Sequence, residues 1–387
     1  MLAERPNSDN RGIVRALYVH VPFCRTRCGY CDFYSQVLDP ARTGPLADAL
    51  REELCLAQRD HVLAFDTIFV GGGTPTVLPI ESLARLLESC RRLANPVVEL
   101  EFTVEANPAT VTPDTAQVLV AAGVNRVSLG AQSFQPGELA ALDRMHRPKD
   151  VEQTVAICRS HGIRQINLDL IFAIPGQTLS SWLDSLRAAL ALEPDHVSCY
   201  GLTYEPGTRL YERWQAGDVQ RIDSDLEADL YETAIDALAA GGYSQYEISN
   251  FARPGAECRH NLTYWRNEPY LGVGPSAAGY INGVRYKNVA DTGVYVRALH
   301  AGRRPRCEEE QLAPEPRARE TAMLALRLNE GLTRHAFARR FGVDPVDFFA
   351  GAIARHTADG LLEVTDTAIR LTRRGRLVAD TVSADFL

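Results

Sequence analysis

Short apolar runs recur through roughly the first half of the chain, and a segment with helical spacing follows each of them. The runs fall at 16–21, 67–70, 98–104, 126–129, 165–171 and 196–200. The first two are apolar runs, the first reading as a buried strand, and all six are short enough for strands. Helical spacing marks 44–59, with Leu46, Leu50, Leu54 and Leu56 partly periodic, then 80–93, 113–122, 150–161, 180–192 and 226–240. Gly123 and Gly162 sit where two of these helices stop. Strands alternating with helices predict parallel βα units. Right-handed crossovers wrap six such units into a partial (β/α)6 barrel, an α/β fold. The pattern itself leaves open whether the barrel closes. In barrels the chemistry gathers at the C-terminal strand ends, and those ends here carry Gly71-Gly72-Gly73-Thr74-Pro75, Glu105, Gln132 and Asp169.

Beyond the barrel the pattern changes. Residues 1–242 are taken as the core with a polar N-terminal extension. Residues 243–301, rich in Tyr, Asn and Gly, form an extension with short strand-like pieces. Residues 302–316, with Arg303-Arg304-Pro305-Arg306 and Pro314-Glu315-Pro316, read as a linker. In 317–387, helices are expected at 318–328, 334–341 and 346–357. A hairpin, 361–364 with 368–371, turns at Asp366-Thr367. Three helices and a hairpin predict a winged-helix-like α+β domain.

The densest chemistry is Cys24-Arg25-Thr26-Arg27-Cys28-Gly29-Tyr30-Cys31, directly after the first strand. Three thiols at C-x3-C-x2-C spacing can face one centre without long-range folding. Soft sulfur selects zinc, copper(I) or an iron–sulfur cluster. A structural zinc needs four ligands, and the nearest further donors are His20 and Asp32. A 4Fe–4S cluster on three cysteines keeps one iron open to a ligand.

This loop, with Tyr30 just before the third cysteine, resembles the cluster loop of radical S-adenosylmethionine enzymes. The resemblance implies a three-quarter barrel that does not close. It also implies a 4Fe–4S cluster on Cys24, Cys28 and Cys31, with the cofactor's amino and carboxylate groups on the open iron. An electron from the cluster then cleaves the sulfonium. Gly71-Gly72-Gly73 resembles the family's glycine motif, whose backbone holds the methionine amino group. A finer likeness is to oxygen-independent coproporphyrinogen oxidase and its relatives. There, positions matching Tyr18, Gly72 and Glu105 contact the cluster-bound S-adenosylmethionine. Those matching Tyr30, Gly73, Thr74, Gln132, Arg144 and Asp169 contact a second molecule. The oxidase carries one more cysteine two residues after the third, where this chain has Phe33. Cys31-Asp32-Phe33 together with His260-Asn261-Leu262-Thr263-Tyr264-Trp265 resembles the HemW branch, the heme chaperones, instead. That likeness implies heme as ligand, with His260 on the iron and Tyr264 and Trp265 against the porphyrin. It further implies a heme acceptor protein and an electron donor as partners. Decarboxylation of coproporphyrinogen is the alternative activity. Residues 272–277 are expected to close over the same cleft.

Composition narrows the rest. The 387 residues are 45% hydrophobic and 23% charged with a net charge of −8, a globular balance unsuited to coating nucleic acid. From Glu315 to Leu387 the chain has 11 Arg and Lys against 10 Asp and Glu, a net of +1. A DNA reader needs a basic face, so nucleic acid is not an expected partner, although Arg370, Arg373, Arg374 and Arg376 cluster near the hairpin. The polar start and the lack of an 18-residue apolar run predict no signal peptide and no membrane span. Nine cysteines, scattered apart from the trio at 24–31, fit a reducing cytoplasm.

Overall fold

A computed structural model describes residues 12–387; the polar start, residues 1–11, lies outside them. The barrel strands are β1 (Ile13–Val21), β2 (Val62–Gly72), β3 (Glu101–Ala106), β4 (Arg126–Gln132), β5 (Gln165–Phe172) and β6 (His196–Gly201). They pair in parallel in that order. Crossovers run through α1 (Pro40–Asp60), α2 (Ile80–Arg91), α3 (Pro113–Ala121), α4 (Pro148–Ser160) and α5 (Leu179–Ala191), and α6 (Ser224–Ala240) follows β6. The sheet extends past both ends of the six. Leu271–Val273 pairs in parallel with β1, while Asn250–Ala252 and then Ser244–Glu247 add antiparallel strands beyond β6. The two outermost strands do not meet, so the barrel is open.

Alternation along each strand sorts the two faces. Leu17, Val19, Ile68, Val70, Phe102, Val104, Val127, Leu168 and Val197 belong to one apolar core that includes Leu50 of α1, Leu83 of α2 and Leu186 of α5. The residues between them are different in kind. Tyr18, Thr103, Glu105, Ser128, Asn167, Asp169, His196 and Ser198 point the other way, into the barrel. Asn167 Nδ2 donates to Ser128 Oγ at 2.8 Å, and its Oδ1 meets His196 Nδ1 at 2.7 Å. The outside of the sheet is therefore oil and the inside a hydrogen-bonded polar lining.

The helix expected to start at 44 starts earlier. Asp39 accepts from Ala41 N–H and Pro40 takes the first helical position, so Pro45 lies inside the helix. The linker expected over 302–316 is largely structured. Arg306–Gln311 is the third strand of a small antiparallel sheet with Ala278–Ile281 and Val284–Asn288. Its polarity hid it: Glu310 stands opposite Arg285 and Glu308 opposite Lys287, opposite-charge cross-strand pairs of the kind that stabilise exposed sheets. Pro314–Ala325 is already helix. The helix expected over 346–357 breaks at Phe349 into Pro345–Phe348 and Ala350–Ala358. Around them Ala368–Leu371 and Leu362–Val364 form the expected hairpin, and Leu332–Thr333 adds a third strand. Its own core includes Phe337, Phe341, Ile353 and Phe386. Of the arginines near the hairpin, Arg370 pairs with Glu363, and Arg373 with Asp236 and Glu232.

The 272–277 segment does not lie over a cleft. Gly272 is inside the strand Leu271–Val273, and Gly274 N–H donates to the buried Glu53 carboxylate of α1 at 2.9 Å. Glu53 also accepts from Asn288 at 2.8 Å and from the Tyr295 hydroxyl. Burial pushes its carboxyl up to about 6. Glu53→Ala leaves three buried donors unpaired, and each unmet donor costs about 1–3 kcal/mol. Chemical denaturation should show a loss of roughly 2–4 kcal/mol; an unchanged midpoint would show that this joint does not hold the extension to the barrel.

Candidate cofactor site

The three thiols lie on the loop between β1 and α1. Backbone ties fix that loop from several sides. Phe23–Cys24 pairs with Gln36–Val37, Leu38 N–H reaches Cys24 O at 2.8 Å, and Leu210 N–H reaches Gly29 O at 2.9 Å. Arg209 donates to Arg27 O at 2.7 Å and pairs with Asp143. Tyr30 packs beside a small apolar cluster holding Leu142, Ile171 and Leu210. Cys24, Cys28 and Cys31 are all unpaired and half-buried. Thr74 Oγ1 donates to Cys24 Sγ at 3.6 Å and Arg144 Nη1 to Cys28 Sγ at 3.2 Å. Burial pushes the Cys24 thiol up and the Cys31 thiol up to about 11. Among the described residues no three His, Cys, Asp or Glu side chains are already drawn onto one point. The loop holds the spacing; a bound metal would set the final sulfur positions.

Beside the thiols lies a backbone cradle. β2 ends in Gly71 and Gly72, and Gly72 has φ +101°. A Cβ at Gly71 would stand 2.6 Å from the Glu105 carboxyl carbon. One at Gly72 would stand 2.5 Å from the His20 ring, and one at Gly73 2.6 Å from Phe23 O. Only glycine passes at all three. Gly72 N–H donates to Glu105 Oε2 at 3.0 Å. Gly73 N–H and Thr74 N–H donate to Val21 O and Phe23 O at 2.8 and 2.7 Å. Donor chemistry and cradle both fit an iron–sulfur cluster with an amino-acid cofactor next to it.

The walls follow from strand alternation. The Tyr18 hydroxyl donates to His20 Nδ1 at 2.9 Å, and His20 Nε2–H donates to Tyr34 O at 2.8 Å. Both His20 nitrogens are thus engaged, so His20 serves as cradle wall rather than a fourth ligand. Burial, with the Asp169 charge adding to it, raises Glu105 to about 7. Asp169 is also raised by burial; it accepts from Ser128 Oγ and Asn167 Nδ2, both at 2.8 Å. Arg144 reaches Gly130 O as well as Cys28, and Gln132, at φ +62°, turns its amide toward the same glycine. Tyr18, Tyr30, Gly72, Gly73, Thr74, Glu105, Gln132, Arg144 and Asp169 therefore ring one mouth with the thiols. The sequence reading missed Tyr200. It continues the inward alternation of His196 and Ser198, and 40% of it stays exposed at that mouth. The period-two pattern of β6 was the signal.

His260, Tyr264 and Trp265 are not part of this ring. They lie on a helix, Arg259–Trp265, packed at the other end of the strands, where Glu101 accepts from the N–H of Arg259 and His260 at 2.8 and 2.9 Å. In this arrangement both ring nitrogens of His260 meet protein groups. His260 is fully buried. Its Nδ1 meets Thr67 Oγ1 at 2.9 Å and its Nε2 the Tyr264 hydroxyl at 2.8 Å. Its ring stacks on Phe69 with centroids 5.4 Å apart. Burial pushes it down to about 3, so it is neutral. Trp265 is half-buried under Arg327, 4.7 Å from its ring. Phe33 projects from the thiol loop, 70% exposed.

The chain matches the model of the Radical SAM superfamily over residues 18–189 and that of the HemN C-terminal domain over 312–378. It is 36% identical to heme chaperone HemW of Bacillus subtilis, covering 97% of this chain and 99% of that one. With heme chaperone HemW of Mycobacterium tuberculosis the identity is 40%, over 96% and 94%. Among solved structures, coproporphyrinogen III oxidase (HemN) from Escherichia coli, described as a radical SAM enzyme, aligns with a TM-score of 0.82. The identity is 23%, over 97% of this chain and 90% of that one; the likeness is one of fold. An open parallel barrel, a three-thiol loop and a glycine cradle, with relatives matched along nearly the whole length, lead to one assignment: the chain belongs to the HemW family of the Radical SAM superfamily.

Proposed function

We propose that this chain binds heme and passes it to an acceptor protein. In this reading it carries a 4Fe–4S cluster on Cys24, Cys28 and Cys31 and an exchangeable S-adenosylmethionine in the glycine cradle. The observation that carries the proposal is end-to-end similarity to proteins named heme chaperones. Phe33 adds to it, since the decarboxylating relatives have a cysteine there. When bound, cluster and cofactor together supply one-electron cleavage of a sulfonium. Glu105 and the Gly72 backbone would hold the cofactor's amino end, and Arg144 and Thr74, which donate to the Cys28 and Cys24 sulfurs, would support those ligands. An electron donor and a reducing, cytoplasmic setting belong to the same reading; no described helix is long and apolar enough to cross a membrane.

Anaerobic iron and sulfide analysis should give about four of each per chain. Alanine at Cys24, Cys28 or Cys31 should abolish that content. Stoichiometric zinc without iron would remove the cluster from the proposal.

Glu105 generates a pH prediction. Its carboxyl is mostly protonated below about 7 and charged above. Holding an ammonium favours the charged form. S-adenosylmethionine affinity should therefore rise as pH climbs from 6 toward 7.5, by up to roughly tenfold for one unit of linkage. Glu105→Gln should bind weakly with a flat profile. A wild-type profile as flat as the variant's would show that Glu105 does not meet the amino group.

Heme should bind without His260. Titration should give the same Soret maximum for wild type and His260→Ala, while the variant loses about 2–4 kcal/mol of stability from its emptied, unpaired site. A shifted Soret maximum in a folded His260→Ala protein would return the imidazole to the iron.

A further inference from the structure

The helix Arg259–Trp265 has a second face. Arg259, Leu262, Thr263 and Arg266 line a groove of about 1080 Å³ between the barrel and the C-terminal domain. Small-molecule sites run from about 300 to 1,000 Å³, so the groove admits a ligand at the large end of that range. Its charge is unusual for a chain with a net of −8. Six arginines line it, Arg15, Arg259, Arg266, Arg317, Arg339 and Arg340, against three acids, Asp66, Glu268 and Glu330. Asp66 pairs with Arg15 and Glu330 with Arg266. Arg339 is exposed, and among the described residues no ion pair engages it. Between the cations Leu262 and Pro269 give the walls an apolar part, with Tyr280, Leu328 and Leu332 buried behind it.

We infer that this groove is the heme site, with the macrocycle against the apolar walls and its two propionates among the arginines. The inference rests on the heme reading above and gives that ligand a place. A planar ring needs an apolar slot with cations at one edge. Guanidinium recognises carboxylate through paired N–H donors. No other cavity described in the molecule joins so much volume to so many arginines: the neighbouring one, about 780 Å³, has Arg164, Arg259 and Arg266 against Glu99, Glu101, Glu257 and Glu330. The placement also separates heme from the thiols, which lie at the opposite end of the strands. Of the His260–Trp265 hexapeptide it uses Leu262 and Thr263, while His260 itself stays locked inside.

The test is heme titration of the full chain, followed by absorbance, with thermal melting as the check on folding. Arg339→Glu reverses an exposed charge. Ala336→Trp fills the groove from an exposed position in its lining. Both should melt like wild type and raise the heme Kd at least about tenfold. Heme dimethyl ester, which lacks the carboxylates, should bind wild type more weakly than heme. Arg339→Glu should narrow that preference. Wild-type heme affinity in both folded variants would overturn the groove and leave the heme reading standing. No heme binding by wild type would overturn both.

Discussion

Two backbone hydrogen bonds hold the working end of this protein together. Gly73 N–H to Val21 O and Thr74 N–H to Phe23 O join the end of β2 to the end of β1 just as both strands leave the sheet. The thiol loop departs from β1 and the glycine cradle from β2, so these bonds set the distance between them. They need the backbone of residue 73 to pass within contact of Phe23 O, which no side chain at that position permits. Thr74, placed by the second bond, turns its hydroxyl to Cys24. Cradle and loop are therefore one object built across a strand pair. The adjacency follows from parallel β1–β2 pairing and not from closeness in sequence.

The polar lining is the second consequence of the open barrel. A sheet with its outer face buried under helices places every second side chain inside. Here those side chains are largely Thr, Ser, Asn, His, Asp and Glu. Burial then acts on each of them. It lifts Glu105 to about 7, raises Asp169 and pushes His196 far down. Two carboxyls raised by burial, with Asp169 also discouraging the charge on Glu105, leave the mouth receptive to a cation. A cofactor bearing an ammonium and a sulfonium meets that need.

Much of this was legible in the residues. The six strands declared themselves through their outward apolar residues and the helices that follow each of them, and the thiol spacing needed no fold at all. What escaped notice depended on partners far away in sequence. Arg306–Gln311 has no apolar signal, and its strand exists because Val284–Asn288 presents the opposite charges. Leu271–Val273 is three residues long and is made a strand by β1. The motif around His260 was readable as a motif, but its orientation was not. Thr67 and Phe69 of β2 decide which way the imidazole faces, and nothing near residue 260 names them.

That orientation separates two kinds of polar burial. At the mouth, Glu105 sits near 7, where a modest change in surroundings alters its charge. At the floor, His260 is held near 3 with both nitrogens bonded. It stays neutral across any physiological pH, and its hydrogen bonds do not break when the pH moves. The seven-residue helix carrying it is anchored by Glu101 at its first turn and by the ring stack on β2. On such a helix, residues four apart share a face, which puts His260 and Tyr264 together inside. Arg259 and Leu262 share the other face, and Arg266, the residue that ends the helix, continues it at a spacing of four. A short helix can present a fixed set of cations outward only if its inward face is immobilised. The buried histidine is what immobilises it: its value lies in never titrating, and the chemistry it was expected to perform would require releasing the contacts that hold the floor.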